Sequence, residues 1–191
     1  MELELLLSIA LGVGLAAACG FRIFVPFTVM SVAALGGYLD LSPTFAWIGT
    51  YPALAAFGTA TVLEILAYYI PWLDNLLDTI ATPTAVIAGT VATASVVTDM
   101  SPLLTWVLAV IAGGGTAGMI QAGTALLRGT SSLTTGGLGN SVVATGELAG
   151  SIFTSVLSIV LPGLAFLLAL VFGVVLFRRM SRRRSRVRQI A

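Results

Sequence analysis

The sequence predicts an all-α, polytopic helical membrane protein with about six crossing or re-entrant segments. Three observations carry this. Apolar residues make up 58% of the chain, and the mean hydropathy is +1.05. Only 17 of 191 residues are charged, nine basic and eight acidic. Seven of the basic ones are arginines in residues 178–191, so residues 1–177 carry ten charges. A soluble domain of this size cannot cover its surface with so few charges.

The elements follow in order. Leu3 to Cys19 is apolar and long enough for a first span. AAAC at 16–19 loosely resembles a lipoprotein cleavage site, but the start MELEL is acidic where a secretory signal is basic, so it reads as a retained helix. GFRIFVPF, at 20–27, breaks the next apolar run, because Pro26 lacks a helix donor and disfavours helix before it. A second segment then reaches Leu39, and a third spans Ala46 to Ile70. PWLDNLLD, at 71–78, is amphipathic and suits an interfacial helix with Trp72, Tyr68 and Tyr69 as an aromatic belt. A short span follows from Pro83 to Thr98, stopping at DMSP. The next, Leu103 to Leu127, is weakened in its middle by GGGTAG at 113–118. The last apolar block, 148–177, has Pro162-Gly163 near its centre and is one bent helix or two short ones.

Residues 1–177 read as a single transmembrane domain, with repeat halves 1–100 and 101–177, and 178–191 as an Arg-rich cytoplasmic tail. GLAAACGFR (14–22) and GMIQAGTALLR (118–128) are both small-residue helices ending on an arginine. Glu64 in VLEILAYY and Glu147 in ATGELAGS then enter helices in turn. Three crossings per half would make a 3+3 inverted repeat, an arrangement common in transporters. The expected location is the cell inner membrane, as a multi-pass protein with its C-terminus cytoplasmic.

Charges at membrane depth are costly and usually face the protein interior, a partner or water. Arg22, Glu64, Arg128 and Glu147 are the candidates. One reading makes them two Arg/Glu pairs lining a solute or ion path. The other makes them helix locks, or lets the arginines snorkel. The stretch LLRGTSSLTTGGLGNSVVATGELAG (126–150) raises the same question. Between Thr130 and Gly146 it holds seven Ser/Thr and Asn140, with no charge. Ser131, Ser132, Thr134, Thr135 and Asn140 could line a path as a re-entrant hairpin, their hydroxyls satisfying freed backbone groups. Alternatively the stretch is a solvated loop in which Asn140, Ser141 or Thr145 caps the next helix. Asp74 and Asp78 share one helical face and form an acidic mouth that gathers cations, a proton-binding pair, or the polar side of an interfacial helix.

Composition excludes several chemistries. The chain has no histidine and one cysteine, Cys19. A Ser/His/Asp triad, a Cys/His nucleophile and a zinc site all lack their residues. An intramembrane aspartyl protease needs two facing aspartates, whereas Asp74 and Asp78 lie on one face. The expectation is a protein that is not an enzyme and uses no cofactor or metal.

At YYIPWLDNLLDTIATPTAVIAGT (68–90) and GGGTAGMIQAGTALLRGTSSLTTGGLGNSVVATGEL (113–148) the chain resembles an uncharacterised bacterial membrane-protein family, domain of unknown function 4126. The resemblance covers about residues 5–177. It implies an integral membrane protein of this length and carries no activity. The family motif includes Asp74, Asp78, Arg128, Gly136-Gly137, Asn140 and Glu147.

Two functions remain from the residues themselves. The first is a small transporter or channel for a small solute or ion. The second is a non-transporting scaffold, assembly factor or lipid-organising protein, since the faces Gly12/Ala16/Gly20 and Gly114/Gly118/Ala122 suit close helix contact within or between copies. The partners expected are the lipid bilayer, a small solute or ion, a second copy of the chain, and anionic lipid at the Arg-rich tail. Nucleic acid is not expected.

Overall fold

Glycine, proline and a membrane's demand for internally satisfied backbone divide this chain into helices. A computed structural model describes the backbone of residues 2–136 and 139–188; side chains are described for these except residues 71, 72, 74–76, 78, 79, 176, 177 and 179–188. The elements are α1 (Glu2–Phe21), α2 (Phe24–Leu35), a 3-10 helix (Pro43–Gly49), α3 (Tyr51–Ala67) and α4 (Pro71–Val96). Then come α5 (Pro102–Leu108), a π-helical segment (Ala109–Gly114), α6 (Gly115–Thr135), α7 (Asn140–Val160) and α8 (Pro162–Arg188). No strand occurs among the described residues. Prolines open α4, α5 and α8 at the first helical position, where the missing N–H is harmless.

Glu2–Phe21, Pro102–Thr135 and Asn140–Val160 are each long and apolar enough to cross a membrane. The 3-10 helix and α3 pass that test together as a pair bent by 66°. Phe24–Leu35, Ile80–Val96 and Pro162–Val175 are shorter apolar helices. Leu3, Leu63, Leu103, Ile111, Phe153, Leu167 and Val171 are exposed on their outer faces. Such apolar exteriors belong in lipid, so the chain is a polytopic helical membrane protein.

α1 is the central helix. It packs against α4, α6, α7 and α8, and Leu15, Ala16, Ala17, Ala18 and Cys19 are buried. Small residues make this approach close, which matters in lipid because helix association there rests on packing rather than on water exclusion. Gly12 lies against Thr93 and Val96 of α4, and Gly20 against Ala117 and Ile120 of α6. Polar side chains add interhelical bonds: Thr93 Oγ1 donates to the Gly12 carbonyl at 3.0 Å, and Ser151 Oγ to the Ala18 carbonyl at 3.0 Å. The small-residue face of α1 is therefore occupied within the chain.

Pairings along these helices fix their directions. Gly12 beside Thr93 and Gly89 beside Ala16 make α1 and α4 antiparallel. Ala18 with Ser151 and Arg22 with Ala144 do the same for α1 and α7. Gly14 beside Ala165 and Phe21 beside Phe172 make α8 parallel to α1. Gly113 beside Thr93 and Gly118 beside Val86 set α6 antiparallel to α4, hence parallel to α1. The end of α1 and the far end of α8 thus lie at one end of the bundle, opposite Glu2. The helices ending on Arg22 and carrying Arg128 also run the same way. An inverted repeat would oppose these two matched helices, so inversion does not relate them.

Three expectations about elements change. PWLDNLLD is not a separate interfacial helix: its backbone is the start of α4, which continues through Pro83 to Val96. GGGTAG does not break its span. The helix widens to π geometry at Ala109–Gly114, where Gly113 and Gly114 let it close on Gly89, Thr90 and Thr93. The described residues of 126–150 are helical up to Thr135 and again from Asn140, and Gly136, at φ +63°, is a left-handed helix stop after α6.

Close packing at α1 generates a test. A Cβ on Gly20 would stand 2.7 Å from the Ala117 carbonyl oxygen and from Ile120 Cβ. Gly20→Leu should destabilise the protein by about 1–3 kcal/mol or prevent folding. Gly58 has nothing within 4 Å of such a Cβ, so Gly58→Ala should gain about 0.5–1 kcal/mol through helix propensity. Thermal unfolding of both variants in one detergent checks the contrast.

Candidate functional site

Four charged residues far apart in sequence converge at the end of the bundle where α1, α3 and α6 finish and α2 and α7 begin. Arg22 and Arg128 are each 2% exposed, Glu147 4% and Glu64 9%. Arg22 follows α1 directly, its N–H still bonded to the Ala18 carbonyl at 3.1 Å. This places its side chain between helices, where a guanidinium must find internal partners.

Glu147 is the shared partner. Arg128 Nε donates to Glu147 Oε1 at 3.0 Å, and Arg128 Nη2 donates to Glu147 Oε2. This is the two-pronged geometry that a planar guanidinium favours. Arg22 Nη2 lies 3.7 Å from the same Oε2 and donates to the Ala144 carbonyl, one turn earlier on α7, at 2.9 Å. Arg22 Nε and Nη1 are buried and have no hydrogen-bond partner among the described residues.

Glu64 has a different task. Its Oε1 accepts from the Ile23 N–H at 2.9 Å and its Oε2 from the Phe24 N–H at 3.1 Å. It caps α2 from α3, satisfying donors that a helix start leaves free and placing negative charge at the positive end of the helix dipole. Thr28 and Thr61, in hydroxyl contact at 2.9 Å, and the stacked rings of Phe27 and Phe57 hold α2 on α3.

Tyr68 completes the cluster. Its ring centroid lies 3.8 Å from the Arg22 guanidinium carbon and 4.1 Å from that of Arg128. One ring thus meets two cations, a contact strongest where water is excluded. The expectation that Tyr68 joins an aromatic belt is corrected: it is buried, whereas Tyr69 is exposed and meets the Thr145 hydroxyl at 2.8 Å. The signal for Tyr68 is its spacing of four from Glu64, which puts both on one helical face. The expected two separate Arg/Glu pairs are likewise corrected to one carboxylate shared by two arginines.

Ser131, Ser132, Thr134, Thr135 and Asn140 lie apart from the cluster, at the tip of the α6–α7 hairpin. Apart from half-buried Ser131 and Asn140, these are exposed. Thr134 and Thr135 donate to carbonyls of their own helix, as Ser/Thr side chains do when they point outward from a helix. Ser132 and Asn140 bond each other across the turn, with Asn140 Nδ2 donating at 3.1 Å. The cap position of α7 is Gly139, whose N–H donates to Thr135 Oγ1 at 2.9 Å. Asp74 and Asp78, with Trp72 and the arginines after Arg178, have side chains outside the described residues.

A cavity of about 250 Å³ opens beside the cluster. Phe21, Gly123, Thr124, Leu127, Val143, Gly146 and Phe172 line it, and among the described residues Glu147 is its one ionisable lining residue. A Cβ on Gly146 would meet nothing within 4 Å, so space is open at this turn of α7.

The chain belongs to the family described as domain of unknown function (DUF4126), whose family model matches residues 9–182. That span includes every member of the cluster. No curated protein and no solved structure matches the chain.

Removing the shared carboxylate should be severe. Glu147→Ala leaves two buried guanidinium groups facing each other and should cost about 3–5 kcal/mol. Replacing the set with apolar residues (Arg22→Met, Arg128→Met and Glu147→Leu together) should recover most of that loss. Unfolding curves of the single and triple variants in one lipid–detergent mixture check this. A single variant as stable as the parent would contradict the shared-carboxylate geometry.

Proposed function

We propose that this protein is a small membrane transporter or channel for a small solute or ion, with no enzymatic activity. Its path centres on Arg22, Arg128, Glu147 and Glu64, with Tyr68 added. The supporting observation is a cavity that ends on a buried carboxylate already held by two guanidinium groups, one of which keeps two unsatisfied donors. Buried charge is costly to keep, and polar groups at membrane depth commonly mark solute and ion pathways. Ser131, Ser132, Thr134, Thr135 and Asn140 form a polar rim beyond the cluster, at which a hydrated solute would first arrive; Asp74 and Asp78 would contribute an acidic mouth.

The Arg-rich segment 178–191 is proposed to be cytoplasmic, since positive flanks stay inside. Because α8 runs toward the cluster end, the cluster would then face the cytoplasm and Glu2 the opposite side. Anionic lipid would attend the same segment, and copies of the chain could associate through exposed apolar faces.

A second reading is a non-transporting scaffold. What favours it is that Arg22, Glu64 and Glu147 together tie α1, α2, α3 and α7, as a structural lock would.

Flux through proteoliposomes separates the two. For the transporter, Glu147→Gln and Arg128→Ala should lower solute-gradient flux by at least tenfold while the folded fraction recovered from the membrane stays measurable. Should both variants carry wild-type flux, the path is misassigned. If no solute moves through folded wild-type protein across inorganic anions, cations and small carboxylates, the scaffold reading replaces it.

A further inference from the structure

The two unsatisfied nitrogens of Arg22 ask for an acceptor. Buried donors left unpaired are rare and costly, and a guanidinium cannot escape by losing its proton. Their surroundings are specific. Arg22 and Arg128 both face Glu147, both lie on the Tyr68 ring, and Glu64 is engaged with two backbone N–H groups of α2. Glu147 therefore occupies a seat built for a planar anion, with more donors around it than one carboxylate fills.

Beside that seat is the wrong environment for a carboxylate and a suitable one for a carboxylic acid. The cavity at Glu147 presents Phe21, Leu127, Val143 and Phe172. A neutral carboxyl can swing into such a space at small cost, whereas a charged one cannot. The charged groups against Glu147 are Arg22 from the end of α1 and Arg128 from α6; Tyr68 of α3 lies on both of those guanidinium groups, Glu64 of α3 is held at the start of α2, and α8 brings Phe172 to the cavity.

We propose that this cluster binds one small monovalent anion of carboxylate shape together with one proton, the anion taking the place of the Glu147 side chain against the two guanidinium groups. The proton goes to the Glu147 carboxylate, which turns into the apolar cavity. The anion accepts hydrogen bonds from Arg128 and from Arg22, two of whose nitrogens have no partner among the described residues. Charge balances: two cations and two anions are present before, and two cations, Glu64 and the bound anion after. No net charge is buried by the exchange, which keeps the desolvation cost low. This inference rests on the transporter reading and makes its solute an anion moved with a proton.

The test uses full-length protein in nanodiscs, with nitrate and formate as probes and a bulky organic sulfonate as the ionic-strength control. Two quantities are read: the dissociation constant from stabilisation against heat, and proton uptake from a weakly buffered solution. Expected are one proton taken up per nitrate bound and an apparent Kd that rises about tenfold per pH unit once Glu147 is ionised. Glu147→Gln, which resembles the protonated side chain, should bind nitrate without proton uptake and without that pH dependence. Arg22→Gln should bind at least tenfold more weakly; if it does not fold, Glu147→Gln decides. Wild type that binds neither probe, or binds without proton uptake, overturns the inference, as does folded Glu147→Gln that has lost nitrate binding. Nitrate binding with proton uptake but no flux upholds the site and removes the transporter reading. Flux of a cation or neutral solute without nitrate binding does the reverse.

Discussion

One carboxylate answers two buried guanidinium groups, and the architecture at that end of the bundle follows from this. Glu147 holds Arg128 through two contacts and lies against Arg22 Nη2, which donates to the Ala144 carbonyl on the same helix. α7 is thereby tied to α6 and to the end of α1. Tyr68 touches both cations and adds α3, and Glu64, on the same face of α3, fixes the start of α2. Five helices meet through a handful of polar atoms. In lipid such bonds have few competitors, so they decide register where apolar packing alone does not.

Close approach elsewhere makes the arrangement tolerable. α1 is lined with alanine and glycine along the faces it shows to α4, α6, α7 and α8. Helices drawn this near leave Arg22, Arg128 and Glu147 almost fully buried, which strengthens each charged contact and raises the cost of any that fails. The π-helical segment belongs to the same logic: Gly113 and Gly114 allow it to sit directly on the backbone of α4 near Gly89.

Much of this was legible. Ten charges in 177 residues fix the membrane class, and the prolines and glycines mark most helix boundaries. Arg22, Glu64, Arg128 and Glu147 stand out because charge at membrane depth needs a reason. Their pairing was not legible, because sequence order says nothing about which residues a bundle brings together. The helical form of the Ser/Thr stretch was not legible for a physical reason. Hydroxyl side chains in an exposed helix return their hydrogen bonds to their own backbone, so composition that resembles a polar lining is also compatible with regular helix. Tyr68 was hidden by a neighbour, since Tyr69 beside it does behave as an exposed interfacial ring.

The most direct test of the shared carboxylate is a pair of double-mutant cycles on unfolding free energy, Arg22→Gln with Glu147→Gln and Arg128→Gln with Glu147→Gln. Coupling energies of about 0.5–3 kcal/mol in both cycles are what a residue serving two partners should give. Coupling of Glu147 to Arg128 alone, with Arg22 additive, would contradict the account.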